Sequence, residues 1–384
     1  MTRRGVRTLC AHFLTAFVAA LAACSLALAQ TIPAPAISAP AYLLLDTTSG
    51  QAIVGDHADE QREPASLTKL MTAYLAFAAL RAKTIAAAQM VSVSPRAWKA
   101  EGSRMFIDPR KAVTVDELLN GVIVQSGNDA SIALAELIAG SEAAFAEKMN
   151  SEAARMGLQS THFKNPTGLP EPGQYSTAAD LARLAAALIR DFPEDYRRYS
   201  QRDYRYNNIT QPNRNRLLWL DPFADGVKTG HTDAAGWCLI GSAKRGDRRL
   251  VAVVLGAGSD AARTNDAQKL LNYGFQAFDT IELYPSGKPV ANLRVWKGEA
   301  NGVAAGFLDA RFLTLPRGKT DKLSISMIAT EPLVAPVAKG QNVGTVKLAL
   351  EGRPIGEFAI VALADVPATN ILGRAWDTIR LWFK

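Results

Sequence analysis

The sequence predicts an α+β protein in which a block of helices lies between strands. Residues 41–59 form short β-like runs around a Ser49-Gly50 turn, which predicts a hairpin. Between residues 67 and 189 the chain is rich in Ala and Leu, and many apolar residues recur at spacings of three and four. Residues 236–258 return to two apolar runs joined by a charged turn. Strands that enclose helices indicate an antiparallel sheet with helices packed on it.

The pattern also gives the order of the elements. Glu63-Pro64-Ala65 ends the first hairpin, and helical periodicity begins directly afterwards. Predicted helices cover residues 67–82, 114–124, 129–139, 141–156, 178–189 and 263–278. From Pro285 onwards, short Val/Leu/Ile-rich runs separated by Gly and Pro predict a small β-sandwich domain. We therefore expect a spacer at 30–40, a first domain at 41–280 and an all-β domain at 281–367.

The first 29 residues have the pattern of a secretory signal peptide. Arg3, Arg4 and Arg7 precede an apolar run that ends in Ala27-Leu28-Ala29, a small-x-small cleavage pattern. An uncleaved membrane helix is one alternative, because about 20 apolar residues span a bilayer. Lipidation of Cys24 is another, because Leu21-Ala22-Ala23-Cys24 resembles a lipobox. Cleavage after Ala29 and lipidation at Cys24 both predict export.

The composition narrows the class of protein. With 384 residues, 48% of them hydrophobic and 21% charged, the chain can bury a large core and is neither disordered nor fibrous. The formal charge of +7 comes without a long basic run, which argues against nucleic-acid binding. Two of the three Cys fall within the predicted signal peptide, so Cys238 alone would remain. We expect no internal disulfide and no Cys-based metal site.

Residues 368–384 predict an amphipathic helix at the C-terminal end. Apolar residues recur at spacings of four, three and four, and charged residues fall largely opposite them. The apolar positions are Leu372, Trp376, Ile379 and Phe383, and the charged ones are Arg374, Asp377, Arg380 and Lys384. Such a helix can anchor the protein to a membrane surface with anionic lipid. Docking of this helix on its own protein is equally compatible with the pattern.

A first chemical motif begins the first predicted helix. In Ser66-Leu67-Thr68-Lys69 the i, i+3 spacing places a hydroxyl and an amine side by side on one helical face. The following residues are apolar nearly all round, so the helix is expected to be buried, and burial favours an uncharged amine. A neutral Lys69 can accept a proton from Ser66. The competing interpretation is an ordinary helix start with a surface lysine.

Two further motifs follow in other structural settings. Ser126-Gly127-Asn128 lies between two predicted helices, where the loop can present a hydroxyl and an amide; an ordinary loop and helix cap have the same sequence. Lys228-Thr229-Gly230, followed by His231, precedes an apolar strand. There the glycine allows close approach of a ligand, and Lys and Thr can bind a carboxylate. A surface turn is the alternative for this triplet.

Together, and in this order, the three motifs match the set found in β-lactamases and penicillin-binding proteins. The chain resembles the low-molecular-mass penicillin-binding proteins that are D-alanyl-D-alanine carboxypeptidases, over about residues 43–278 and with further agreement in the β domain and tail. Flanking stretches resemble the same family, among them PASLTKLMTAYL, LLNGVIVQSGNDASIALAE, THFKNPTGL and DGVKTGHTDAAGW. The resemblance implies a β-lactamase/transpeptidase-like fold for the first domain.

The resemblance also implies a role for each motif residue. Ser66 would be the acylated nucleophile and Lys69 its proton acceptor, with Ser126 and Asn128 as the second motif. The substrate-binding residues implied are Lys228, Thr229, Gly230, His231 and Arg263. Among these, the backbone N–H of His231 would form an oxyanion hole with that of Ser66, and Arg263 would bind the substrate carboxylate.

The implied reaction removes the terminal D-Ala from a peptidoglycan stem peptide through an acyl-enzyme, and β-lactams would acylate the same serine. It needs no metal or organic cofactor and takes place at the periplasmic face of the inner membrane. A DD-endopeptidase would use the same residues. A β-lactamase would need a general-base Glu, and Pro170-Glu171-Pro172-Gly173-Gln174-Tyr175 does not match that motif, so slow penicillin release is expected. A non-catalytic wall-binding protein is a further alternative.

Overall fold

The computed structural model describes residues 32–370 together with Asp377, Thr378 and Arg380. The predicted signal peptide and most of the predicted tail helix lie outside the described residues. Asp377, Thr378 and Arg380 are helical. Among the described helices, none combines the length and the apolar character needed to cross a membrane.

Helices form the middle of the first domain. In the described part of the chain the α-helices are α1 (Lys69–Arg81), α2 (Pro95–Trp98), α3 (Val115–Val124), α4 (Asn128–Ala139), α5 (Glu142–Arg155), α6 (Ala178–Asp191), α7 (Pro193–Tyr196), α8 (Leu217–Leu220) and α9 (Asp260–Ala277). The six predicted helices are confirmed to within three residues at their ends. The short helices α2, α7 and α8 were not predicted, because four residues give no periodic signal.

Strands enclose this helical block on both sides. Those of the first domain are β1 (Ala41–Asp46), β2 (Gln51–Asp56), β3 (Met90–Val91), β4 (Val113–Thr114), β5 (Asp203–Tyr206), β6 (Ile209–Pro212), β7 (Ala224–Thr232), β8 (Gly236–Arg245) and β9 (Arg248–Ala257). Five of them form an antiparallel sheet in the order β2-β1-β9-β8-β7. The strand β7 is therefore an edge strand of this sheet.

The central sheet is buried on both faces because apolar residues occupy both sets of alternating positions. In β9, Val251, Val253 and Leu255 pack into the helical core with α1 and α6, while Leu250, Ala252 and Val254 pack against α9. This pattern gives three layers, with α9 and Leu217 of the short helix α8 on one face and the helical core that includes α1 and α6 on the opposite face. The predicted antiparallel sheet with helices on it is confirmed.

A capping box shows how the sequence starts one of these helices. The Thr114 side chain accepts a hydrogen bond from the Glu117 backbone N–H, and the Glu117 carboxylate accepts one from the Thr114 N–H. This reciprocal pair satisfies two N–H groups that a helix start leaves without intrahelical partners. It fixes the start of α3, the helix that leads into the Ser126 loop.

An all-β domain follows directly after α9. Its strands are β10 (Phe278–Tyr284), β11 (Pro289–Trp296), β12 (Gly302–Gly306), β13 (Arg311–Pro316), β14 (Leu323–Ala329), β15 (Leu333–Val334), β16 (Asn342–Leu350) and β17 (Arg353–Ala362). Six of them form a sheet in the order β14-β16-β17-β12-β11-β15, and β10 pairs with β13. Both units contribute to one core that includes Val303, Leu313 and Ile360.

Asp46, at the end of β1, joins the two domains. Its carboxylate is fully buried and accepts a hydrogen bond from Arg248 Nε at 2.7 Å. The same oxygen accepts hydrogen bonds from the hydroxyls of Thr280 in β10 and Thr314 in β13, at 2.6 and 3.1 Å. Arg248 also donates to the backbone carbonyls of Gly274 and Phe278, where α9 passes into β10.

Replacing Asp46 should destabilise the protein strongly. In Asp46→Ala, the nearly buried Arg248 guanidinium loses its counter-charge, and such losses cost about 3–5 kcal/mol. We expect that decrease in the free energy of unfolding, measured by urea titration followed by circular dichroism. The matched control is Asp56→Ala, which removes an exposed carboxylate from the next strand and should change stability by less than about 0.5 kcal/mol. Equal unfolding midpoints for the two variants would contradict this role.

Candidate active site

Ser66 lies in a tight turn at the base of α1. The turn is a 3-10 helix, Ala65–Thr68, which continues directly into α1, whose first residue is Lys69. The Lys69 amine Nζ lies 3.0 Å from Ser66 Oγ. The predicted pairing of these two side chains is confirmed, although a 3-10 turn rather than the α-helix itself carries the serine.

The Lys69 amine is enclosed by protein. Only 1% of this residue is exposed. Burial lowers the pKa of Lys69 to about 7, with a further contribution from the positive charge of Arg214. Besides Ser66, its neighbours are Asn128 Oδ1 at 2.7 Å and the Thr167 carbonyl oxygen at 2.5 Å. The amine is therefore poised between its charged and neutral forms near neutral pH.

The two oxygen neighbours of Lys69 accept hydrogen bonds and cannot donate them. For Asn128 this orientation is fixed, because its Nδ2 donates to the Glu101 carbonyl oxygen at 2.6 Å. A neutral amine has two N–H groups and one lone pair. Donation to Asn128 and Thr167 uses both N–H groups, which leaves the lone pair free to accept a hydrogen bond from the Ser66 hydroxyl.

Ser126 lies where the second motif was predicted, in the connection between α3 and α4. Its backbone has a φ of 59°, a left-handed conformation that is uncommon outside glycine. Its side chain is almost fully buried, and Oγ has no hydrogen-bond partner among the described residues. A buried hydroxyl without a partner costs free energy. Strain and an unsatisfied hydroxyl at one residue are typical of a group held ready for a ligand.

The third motif forms part of the edge strand β7 and not a surface turn. Lys228 and Thr229 are buried, and Gly230 packs directly on the serine turn. A Cβ atom at Gly230 would lie 3.1 Å from the Pro64 carbonyl oxygen and 3.2 Å from Ser66 N. The absence of a side chain therefore lets the backbone of β7 approach that of Ser66.

Lys228 provides a second buried amine in the site. The structure gives it one hydrogen bond, to the Thr229 carbonyl oxygen at 3.1 Å. Its pKa is well below the ordinary lysine value, because burial disfavours the charged amine and the nearby charge of Lys69 repels it. Two amines in one buried site disfavour double protonation.

Most of the N–H groups of Arg263, in α9, donate hydrogen bonds to the protein itself. Its Nη1 donates to the carbonyl oxygens of Gly230 and Cys238, and its Nε and Nη2 donate to Asp260 Oδ1. Its guanidinium also lies over the Trp237 ring, 4.9 Å from the centroid. Of the five N–H bonds of a guanidinium, one remains for a ligand.

These elements surround a cavity of about 340 Å³. Six of the predicted site residues line it: Ser66, Ser126, Thr229, Gly230, His231 and Arg263. The buried side chains of Lys69, Asn128 and Lys228 lie behind this wall. The structure therefore gathers all nine predicted residues in one region, although the motifs are up to 197 positions apart in the chain, from Ser66 to Arg263.

Two family models match the chain. Residues 28–259 match the model of the D-alanyl-D-alanine carboxypeptidases, peptidase family S11. The chain belongs to this carboxypeptidase family. Residues 278–368 match the C-terminal domain of penicillin-binding protein 5. The transpeptidase-like α+β domain followed by an all-β domain is thus the fold of the penicillin-binding proteins.

Relatives of this carboxypeptidase cover nearly the whole chain. D-alanyl-D-alanine carboxypeptidase DacC of Escherichia coli is 42% identical over 96% of this chain and 94% of its own length. Penicillin-binding protein 5 of Haemophilus influenzae has a solved structure with a TM-score of 0.85, at 40% identity, covering 88% of this chain and 99% of its own. Penicillin-binding protein D2 of Listeria monocytogenes, solved in an ampicillin-bound form, matches with a TM-score of 0.59 at 31% identity, over 64% of this chain and its entire own length.

Sequence reasoning gave no role to two features of this carboxypeptidase site. The first is the loop that carries the Thr167 carbonyl. At Gly168, where φ is 79°, a Cβ atom would lie 1.8 Å from the Ala65 carbonyl oxygen. The loop can therefore contact the serine turn only with glycine at this position. The motif THFKNPTGL contained this glycine, but its spacing gave no sign that a backbone oxygen would meet Lys69.

The second feature is Arg214, which lines the cavity. It is exposed, and its side chain makes no hydrogen bond or ion pair within the described residues. Its charge contributes to the lowered pKa values of both Lys69 and Lys228. Only the basic run Asn213-Arg214-Asn215-Arg216 marked it in the sequence, and such a run is ordinarily a solvated surface.

Proposed function

We propose that this carboxypeptidase removes the terminal D-Ala from a peptidoglycan stem peptide through an acyl-enzyme on Ser66. The geometry of Lys69 carries the proposal. Its amine lies 3.0 Å from Ser66 Oγ, and its other two contacts are to oxygens that can only accept hydrogen bonds. This arrangement leaves a lone pair directed to the one neighbour that has a proton to give.

In the first step Ser66 Oγ attacks the carbonyl carbon of the penultimate D-Ala, and its proton passes to Lys69 Nζ. The backbone N–H groups of Ser66 and His231 stabilise the oxyanion that forms. The C–N bond then breaks, and the proton taken up by Lys69 passes by way of Ser126 and Lys228 to the leaving amine, which returns Lys69 to its neutral form. Water hydrolyses the resulting ester, with a neutral lysine again accepting the proton.

The substrate carboxylate would be bound near the C-terminal end of β7. Thr229 supplies a hydroxyl to the cavity wall, and Arg263 keeps one N–H free at the same end. A charge-assisted hydrogen bond from a guanidinium to a carboxylate is stronger than one between neutral groups. The leaving D-Ala would therefore lie at the Arg263 end of the cavity.

β-Lactams would acylate Ser66 and be released slowly. A fast β-lactamase needs a carboxylate that activates water, and no Asp or Glu lines the cavity in the described part of the chain. Glu171, the candidate in sequence, is exposed, and its carboxylate accepts a hydrogen bond from Asn165 Nδ2 at 3.0 Å. This geometry favours a carboxypeptidase over a β-lactamase, while a DD-endopeptidase would use the same groups.

Removing the serine hydroxyl should abolish both reactions. In Ser66→Ala we expect no stable adduct with a labelled penicillin and no D-Ala release from a pentapeptide ending in D-Ala-D-Ala. The control is Ser94→Ala, which alters a serine outside the cavity that caps α2. It should retain activity. Penicillin labelling or D-Ala release by Ser66→Ala would assign the nucleophile elsewhere.

The rate of acylation should follow the neutral fraction of Lys69. Because the pKa of Lys69 is about 7 in the free protein, the second-order rate constant for penicillin acylation should fall about tenfold per pH unit below 7 and level off above it. In Arg214→Gln the loss of a nearby positive charge should move the midpoint to higher pH. A profile that is flat from pH 5 to 9, or a midpoint unmoved in the variant, would contradict this assignment.

We further propose, from the sequence pattern, that residues 1–29 direct export and that the protein acts at the periplasmic face of the inner membrane. Residues 41–280 would be the catalytic domain, and 281–367 a domain that holds it away from the membrane. Within the described part of the tail, the Asp377 carboxylate accepts a hydrogen bond from Lys297 N of this second domain at 2.6 Å. Asp377 belongs to the predicted polar face, and we propose that the predicted apolar face binds the lipid.

Liposome flotation tests the anchor. The mature chain should float with liposomes that contain anionic lipid, and a chain lacking residues 369–384 should not, because apolar and basic side chains drive binding at the interface. Asp377→Asn, which changes only the polar face, should still float. Equal binding with and without the tail would remove the anchor proposal.

A further inference from the structure

A second cavity of about 510 Å³ adjoins the cavity beside Ser66. Three residues, Arg214, Trp237 and Arg263, line both cavities, so the two share a common boundary. Gln125 and Arg216 belong to the second cavity alone. The second cavity is therefore adjacent to the Arg263 end of the site described above.

The second cavity lies on the side of the site where the leaving residue would bind. This step rests on the proposed function, in which the carboxylate of the leaving D-amino acid lies near Thr229 and Arg263. With that carboxylate at the boundary between the two cavities, the side chain of the leaving residue would lie next to the second cavity. The methyl group of D-Ala is too small to occupy a volume of about 510 Å³.

The second cavity is electropositive. Its charged lining consists of Arg214, Arg216, Arg263 and one carboxylate, Asp260. Asp260 Oδ1 accepts hydrogen bonds from Arg263 Nε and Nη2 at 2.9 and 2.6 Å. Its other oxygen lies 3.7 Å from Arg216 Nη1, which is beyond hydrogen-bond distance. The single carboxylate is thus used mainly by Arg263.

Arg216 is the group in this cavity with donors to spare. Its side chain is 56% exposed, and its guanidinium makes no hydrogen bond to any other described residue. A guanidinium has five N–H donors and binds carboxylates through two of them at once. The neighbouring Arg214 makes no hydrogen bond or ion pair in the described structure, and Arg216 shares the one carboxylate of the lining, Asp260, with Arg263. The net charge of the lining therefore favours an anionic ligand.

We propose that the second cavity is a leaving-group subsite in which Arg216 binds an acidic side chain on the leaving D-amino acid. The protein then cleaves peptides whose leaving group is larger than D-Ala and bears a second carboxylate. A crosslinked stem peptide presents such a group, because its leaving amine belongs to a second, carboxylate-bearing peptide. The chemistry is unchanged: the C–N bond breaks, and the leaving amine takes up the proton.

Three synthetic peptides test the subsite. They share an N-acylated L-Lys-D-Ala segment and end in D-Ala, D-Glu or D-Gln. D-Gln matches D-Glu in size but lacks the charge, so the ratio of their kcat/KM values isolates the contribution of the carboxylate. We expect the wild-type protein to cleave the D-Glu peptide about fivefold better than the D-Gln peptide, since exposed ion pairs contribute up to that much.

Arg216→Gln should bring this ratio to about one. Arg205→Gln is the matched control, because Arg205 is also exposed but lies in β5 and lines neither cavity; it should keep the ratio. If D-Ala is released but D-Glu is not preferred, or if Arg216→Gln keeps the preference, the subsite is wrong. If the wild-type protein releases none of the three residues, the proposed carboxypeptidase function itself fails.

Discussion

A buried amine whose pKa is lowered to about 7 is the constraint on which the active site depends. Burial removes the hydration of a protonated Lys69, which favours the neutral form, and the amine keeps hydrogen-bond contacts only to oxygens of Ser66, Asn128 and Thr167. The walls of that site come from separate parts of the chain. The loop at Gly168 approaches the Ser66 turn so closely that it has no room for a side chain, and the strand at Gly230 approaches it so closely that a side chain would make tight contacts. The same close packing therefore both excludes water from the site and positions Lys69, the base.

The parts of this arrangement that sequence could predict are those with local causes. Helical structure begins directly after Pro64, and the spacing of Ser66 and Lys69 alone predicted that their side chains lie together. Helix boundaries at Thr114 and Gly140 follow capping signals that belong to a few neighbouring residues. The Lys-Thr-Gly triplet was chosen as a candidate from the sequence, but its place inside an edge strand depends on the pairing of β7 with β8.

The parts that sequence could not predict depend on contacts between distant segments. Nothing in the neighbourhood of Thr167 indicates that its carbonyl oxygen will meet an amine 98 positions earlier in the chain. Arg214 looks like one more surface arginine until the fold places it between two cavities. Arg263 was predicted to serve the substrate, but four of its hydrogen bonds go to the protein, a use that only the packing of α9 on β8 reveals.

The buried carboxylate at the end of β1 has a mechanical consequence. Because Asp46 binds β9, β10 and β13 through one oxygen, rotation of one domain against the other would break hydrogen bonds to a buried carboxylate. If the far end of the all-β domain is held at a membrane, as proposed above, the distance between Ser66 and the membrane is set by the length of that domain. A flexible linker in its place would allow a wide range of distances.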